Sequence, residues 1–299
     1  MKRGFVLFVV IGILLWCPVS LSLGGPQSPG ENPAELRQFI VFDGTSYSNK
    51  PDLAAYGIRP IHLVYAGRFG AEWFKNQDRL PERASVQALA RELADTGAPV
   101  VLDIEHWALK GKPEFVRQNV KKYVDVLHWF RESAPGLQIG YYGTLPIRDY
   151  WRAVQAPENQ AHRDWMKEDD QIRDLRDAVD VLFPSLYTFY ADQNGWKTYA
   201  IAQIKEARRV GKGKPVYVFL WPQYHDSNRA LGGRYLSADF WTLQLETAHQ
   251  FADGVVVWSG REEWNEHAPW WTATKRFMQR LHDAPGSSTT PLEREPRSR

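Results

Sequence analysis

Seven short apolar runs recur along this 299-residue chain, and helix-patterned segments separate most of them. The runs span 39–43, 61–66, 100–105, 138–142, 179–187, 215–223 and 254–259, and β-branched or aromatic residues dominate them. Between them the apolar spacing predicts helices over 83–96, 113–133, 162–178, 196–210, 237–251 and 269–283. Gly97 closes the first of these and Pro113 opens the second, the usual stop and start residues. Strand followed by helix, repeated about seven times, demands parallel strands with crossover helices. The strands read as almost continuous apolar runs, as expected when both faces of a sheet are covered. A closed (β/α) barrel and an open doubly wound sheet both satisfy this pattern.

The positions of the polar and aromatic residues favour the barrel. Asp43, Glu105, Tyr142, Tyr187, Tyr224 and Trp258 all fall at the C-terminal ends of predicted strands. A barrel gathers those ends around one mouth, where its active site lies, whereas an open sheet scatters them. No G-x-G-x-x-G or Walker loop follows any strand, which argues against a nucleotide-binding sheet. The expected architecture is α/β, a distorted (β/α) barrel of about seven to eight strand–helix units.

One run ends in chemistry. In V-L-D-I-E-H-W, residues 101–107, an apolar strand closes on Asp103 and Glu105. Side chains two apart on a strand share a face, so the two carboxyls should lie about 6–7 Å apart along it. Neighbouring carboxylates resist joint ionisation, so one pKa should rise. A carboxyl that keeps its proton near neutral pH suits a general acid. A strand end carrying two solvated acids is the plainer alternative.

The remaining candidates are aromatic. The chain contains 13 Trp and 13 Tyr, which combine a flat apolar face with a polar handle, the chemistry that lines carbohydrate clefts. The same rings could simply fill a large core. Tyr187 ends D-V-L-F-P-S-L-Y, Tyr142 lies in I-G-Y-Y-G-T-L-P, and Trp258 ends G-V-V-V-W. Trp264, Trp270 and Trp271 would extend a cleft or clamp the last helix. The charged stretch from Arg163 to Asp177 reads as a solvated helix face. His106, His225 and His267 are isolated, with no H-E-x-x-H spacing, so no metal site is expected. No G-x-S-x-G elbow points to a serine hydrolase.

The ends of the chain bear on location. Lys2 and Arg3 precede an apolar run from Gly4 to Trp16, with small residues around 20–25, the pattern of an export signal. Residues 1–24 are read as a signal peptide, 25–36 as a linker, 37–284 as the catalytic barrel and 285–299 as a disordered tail. The expected location is secreted or periplasmic, with an uncleaved N-terminal anchor as the alternative and no stable membrane span in the mature form. Cys17 lies within the leader, so the mature chain would have no disulfides and no thiolate chemistry. The formal charge of +2 comes from 37 basic and 35 acidic residues. Without Lys2 and Arg3 the count becomes 35 of each, and no global field attracts nucleic acid. A monomer needing no cofactor is expected.

In order along the chain, these motifs resemble the animal hyaluronidases, glycoside hydrolase family 56. D-I-E-H-W is similar to their D-x-E-x-W stretch and I-G-Y-Y-G-T-L-P to their G-F-Y-G-F-P. V-L-F-P-S-L-Y resembles L-Y-P-S-I-Y, P-V-Y-V-F-L-W-P-Q-Y is similar to a P-V-x-x-Y segment, G-R-Y-L-S to an F-L-x-x-D helix start, and G-V-V-V-W to G-V-V-L-W. The resemblance implies a distorted barrel, with Glu105 as proton donor, Asp103 as its partner acid and Tyr187 holding a substrate N-acetyl group. It also implies that Tyr142, Trp258, Tyr224 and Trp107 line the sugar site. The implied reaction is substrate-assisted retaining hydrolysis of N-acetylhexosamine linkages in a polysaccharide. The family's disulfide cysteines are absent, and F-I-V-F-D-G stands where the family shows an aromatic–Asn pair. A cell-wall muramidase or chitinase-like hydrolase, and a non-catalytic carbohydrate-binding barrel, remain as alternatives.

Overall fold

The computed structural model describes residues 38–283. The leader with Cys17, the linker and the C-terminal tail read from the sequence lie outside the described residues. Seven strands are β1 Ile40–Thr45, β2 Arg59–Pro60, β3 His62–Tyr65, β4 Val100–Asp103, β5 Ile139–Tyr141, β6 Tyr217–Leu220 and β7 Gly254–Ser259. Eight α-helices are α1 Ala71–Lys75, α2 Arg83–Leu93, α3 Pro113–Ser133, α4 Gln160–Gln171, α5 Arg173–Ala178, α6 Gln193–Gly211, α7 Ala238–Phe251 and α8 Pro269–Asp283.

All strand pairs are parallel. One sheet has the order β2-β1-β7-β6 and the other β3-β4-β5. Only Ile61 separates β2 from β3, so one extended stretch pairs with β1 through its first half and with β4 through its second. Beyond β5, single parallel bridges Tyr142↔Phe183, Leu182↔Val216 and Ser185↔Phe219 carry the pairing on towards β6. The run expected as a strand over 179–187 is therefore an irregular segment held by isolated bridges. Pro184 at its middle has no N–H to donate, so a continuous ladder cannot form there.

The strands have two apolar faces, and the core divides accordingly. The larger cluster joins outward-facing residues such as Val41, Leu102, Val218 and Val257 to helix residues such as Leu89, Val126 and Phe240. The smaller one is built from alternate positions of successive strands, among them Phe42, Val101, Phe219 and Val256, together with Phe183 and Tyr187. This division explains the unbroken apolar runs: every second residue meets a helix and the others meet one another. Gly140 on β5 allows the closest approach, since a Cβ there would collide with the carbonyl oxygen of Val181.

Helix boundaries follow local chemistry. Pro113 and Pro269 occupy the first positions of α3 and α8. Asn159, Asp192 and Ser237 cap α4, α6 and α7 by accepting from Ala161, Gly195 and Phe240 N–H groups at 2.9, 2.9 and 3.2 Å. Gly97 follows α2 at φ 67°. The single helix expected over 162–178 breaks at Ile172, which is fully buried and lies outside helical geometry. Its charged stretch is not wholly solvated either, because Asp169 is 0% exposed. Among the described residues no helix is long and apolar enough to cross a membrane.

Candidate active site

The C-terminal ends of β3, β4, β6 and β7 converge on one cavity of about 270 Å³. Its lining includes Tyr65, Asp103, Glu105, Tyr142, Arg148, Tyr187, Trp221, His225 and Trp258. A second cavity of about 270 Å³ adjoins it and is bordered by Glu105, Lys110, Thr144 and Arg148. Glu105, Tyr142 and Arg148 line both. Glu105 therefore sits where the aromatic chamber meets the second cleft.

The carboxylate pair differs from the expected geometry in one respect. β4 stops at Asp103, and Glu105 stands two residues beyond it rather than on the strand. The alternation survives the strand end all the same. Ile104 is fully buried, while Asp103 and Glu105 both face the cavity. Asp103 is half-buried, and Glu105 keeps 54% of its side chain exposed beside Arg148, 3.6 Å away. Burial and then the Glu105 charge push the Asp103 carboxyl up to about 7, with Arg148 opposing. The raised acid is thus the inner one.

Aromatic rings form the chamber around Asp103. Tyr187 lies 5.8 Å from Tyr142, 5.5 Å from Trp221 and 5.6 Å from Trp258, centroid to centroid. Trp221 and Trp258 meet edge to face at 4.9 Å. The Trp258 indole N–H donates to the Tyr65 hydroxyl at 2.9 Å, and Tyr65 pairs in register with Asp103. The Tyr142 hydroxyl bonds Ser185 at 2.9 Å, while burial raises its pKa to about 12. Burial also pushes the Tyr187 phenol well up and holds His225 below its usual value. Both phenols therefore stay neutral near pH 7.

Arg148 is held from behind. The N–H of the preceding Ile147 donates to Asp169 of α4 at 2.7 Å, and its carbonyl accepts from the Trp165 indole at 2.7 Å. Two buried side chains of α4 thus fix the peptide that carries the one arginine among the described residues of the chamber lining. Two neighbouring cations are paired with acids. Lys110 bonds Asp149, and Arg152 bridges Asp149 and Glu168.

Two residues expected as sugar contacts lie outside the aromatic chamber. Trp107 is 2% exposed, with its N–H donating to the Gln77 carbonyl at 2.7 Å and its ring against Tyr123 at 5.0 Å. It borders the second cavity only as core beneath it. Tyr224 lines neither cavity, because the chain turns after Trp221 and its ring packs towards Phe240 on α7. Trp270 and Trp271 are likewise core residues that clamp α8. Tyr65 and Trp221, by contrast, were overlooked. Each terminates or directly follows an apolar strand, β3 and β6, so the same strand-end rule identifies them. Among the described residues no group of three or more His, Cys, Asp or Glu could hold a metal ion.

No family model matches the chain, and no curated protein does. Solved structures do. The chain is similar to bee venom hyaluronidase, with a TM-score of 0.54 at 16% identity over 82% of this chain and 97% of that one. Its fold is similar to that of bee venom hyaluronidase. The structure of that protein with a hyaluronic acid tetramer aligns equally well, at a TM-score of 0.55 and 16% identity over 82% of this chain and 96% of the other. At such identity the likeness establishes a shared parallel α/β architecture, and chemistry must be argued from the residues.

Proposed function

We propose that this protein is an exported glycoside hydrolase, a closed but distorted (β/α) barrel that cleaves N-acetylhexosamine linkages in a polysaccharide. The observation that carries the reading is the placement of Asp103 and Glu105 in one cavity walled by Tyr187, Trp221 and Trp258. Three single bridges and the shared β2–β3 stretch support closure of the barrel. The leader pattern supports export.

Substrate-assisted retention fits this arrangement. A sugar ring in the chamber would place its apolar face on the aromatic wall and its anomeric carbon near the acids. The carboxyl pair keeps one proton up to about pH 7, residing at rest on Asp103. That proton passes from Asp103 to Glu105, at the junction of the two cavities, and on to the glycosidic oxygen as its bond to the anomeric carbon breaks. The substrate's own acetamido oxygen bonds that carbon from the other side, so no enzyme carboxylate is the nucleophile. Asp103, now ionised, accepts the acetamido N–H and steadies the positive charge developing there. The Tyr187 hydroxyl donates to the acetamido group. Water then attacks the anomeric carbon as its bond to the acetamido oxygen breaks and the N-acetyl group is restored; Glu105 takes up the proton the water releases and passes it back to Asp103. Arg148 holds Glu105 aimed between the cavities.

The test is purified Glu105→Gln assayed on hyaluronan, chitin oligomers and peptidoglycan, with products resolved by mass. We expect an unchanged fold by circular dichroism and a loss of about 10²–10⁴-fold in turnover. Retained activity would remove Glu105 from its role. Products from peptidoglycan or chitin alone would move the specificity to the cell-wall reading. Glycan binding without cleavage by the wild type would leave a non-catalytic carbohydrate binder.

A further inference from the structure

An aromatic strip leaves the chamber and continues onto the surface. His225 lines the chamber and meets Trp221 at 5.7 Å. The Phe189 ring stacks on His225 at 4.2 Å, and Tyr150 meets Phe189 edge to face at 4.8 Å. Tyr150 in turn stacks on Tyr199 at 4.3 Å with 29° between planes. Tyr199 is buried, yet Tyr150 remains 37% exposed. A ring stacked on a buried ring and still over one-third exposed keeps part of its surface open to solvent. Two further aromatics flank the strip in sequence, Trp151 at 64% and Tyr190 at 73% exposed. Exposed rings grouped beside a binding chamber mark a ligand surface. Tyr150 also follows Arg148 by two residues, so the α4 contacts that fix Ile147 lie close to this platform as well.

We infer that Tyr150, with Phe189 and His225 behind it, is a stacking platform for a pyranose ring of the substrate chain bound outside the Tyr187–Trp258 chamber. The inference rests on the proposed glycan-binding role of that chamber. The occupant is one more sugar of the same polysaccharide, because the strip is continuous with the chamber wall. A neutral aromatic face selects the apolar C–H face of a sugar. A platform outside the chamber gives binding energy only to chains long enough to reach it, so it favours polymer over short oligomers.

The test compares a hyaluronan tetrasaccharide with a decasaccharide, and chitobiose with chitohexaose, by tryptophan fluorescence titration and by hydrolysis. Tyr150→Ala should lower the preference for the longer glycan roughly five- to tenfold in Kd or kcat/KM. Tyr150→Phe, which keeps the ring, should restore it. Equal losses on short and long glycans, or no loss on either, would overturn the platform. A Tyr150-dependent length preference in binding, with no cleavage of any glycan, keeps the platform and defeats the hydrolase reading. Cleavage with a length preference indifferent to Tyr150 keeps the hydrolase reading and defeats the platform. Failure to bind any of the glycans defeats both.

Discussion

Asp103→Asn removes a proton site and changes the shape of the side chain very little. In the folded protein that carboxyl is pushed up to about 7 from its ordinary 3.8. Between those values the folded chain holds a proton that the unfolded chain has released. The folded state then binds more protons, so stability falls as pH rises through this range. About three pKa units at 1.36 kcal/mol each set an upper limit of ~4 kcal/mol, lost in full above the folded value. Water reaching the open cavity discounts this to ~2–4 kcal/mol. The interval from pH 5 to 7 spans about two of the three units, so ~1–3 kcal/mol after the same discount. Asparagine has no such proton to lose. The variant should therefore gain on the wild type by that amount between pH 5 and pH 8, while its turnover is lost. Urea unfolding of both proteins across this range measures the difference, and groups common to both, such as the buried Asp169, cancel. A constant difference in stability from pH 5 to 8 would refute a proton held at Asp103 and the shared-proton chemistry built on it. Stability gained where activity is lost is the usual mark of a site strained for function.

Two other substitutions probe what holds the site in place. Asp169→Ala leaves the buried Ile147 N–H without its acceptor, which should cost about 1–3 kcal/mol in urea unfolding; it should also reduce turnover by freeing Arg148. Asp169→Asn keeps an acceptor oxygen and should retain most of both, so equal losses in the two variants would contradict a positioning role. Gly140→Ala forces a methyl group against the Val181 carbonyl and should destabilise by about 1–3 kcal/mol or more. An unchanged melting temperature would mean that β5 and the segment after Val179 are not packed this closely.

What could be read from the sequence was whatever depends on local pattern. Helices α3 and α8 match their expected limits because a proline opens each and the apolar spacing is regular. β7 matches because its buried run has no residue that breaks a ladder. The segment around Pro184 did not, since one missing donor turns a strand-like run into isolated bridges. Among the candidate site residues, alternation put Asp103 and Glu105 on one face, and strand-end position with the resemblance picked out Tyr142, Tyr187 and Trp258; all five line the chamber. Trp107 and Tyr224 were named on the resemblance, and packing turns their rings to Tyr123 and Phe240, outside the aromatic chamber.

The residues that escaped the sequence reading owe their role to distance along the chain. Asp169 looks like one more charge on a polar helix, and only folding brings it under Ile147, 22 positions away. Tyr65 anchors Trp258 across 193 positions. Pairings of this kind leave no periodic trace, because each partner is ordinary in its own segment. They nonetheless set the chemistry. The strand end delivers two acids to the cavity, and burial at its inner end is what raises the Asp103 carboxyl. An arginine held by a remote helix then stands beside the acid left free to face the leaving group. The division of labour between two adjacent carboxyls is thus a property of the fold around them, which is why the pH dependence of Asp103→Asn tests the architecture and the mechanism together.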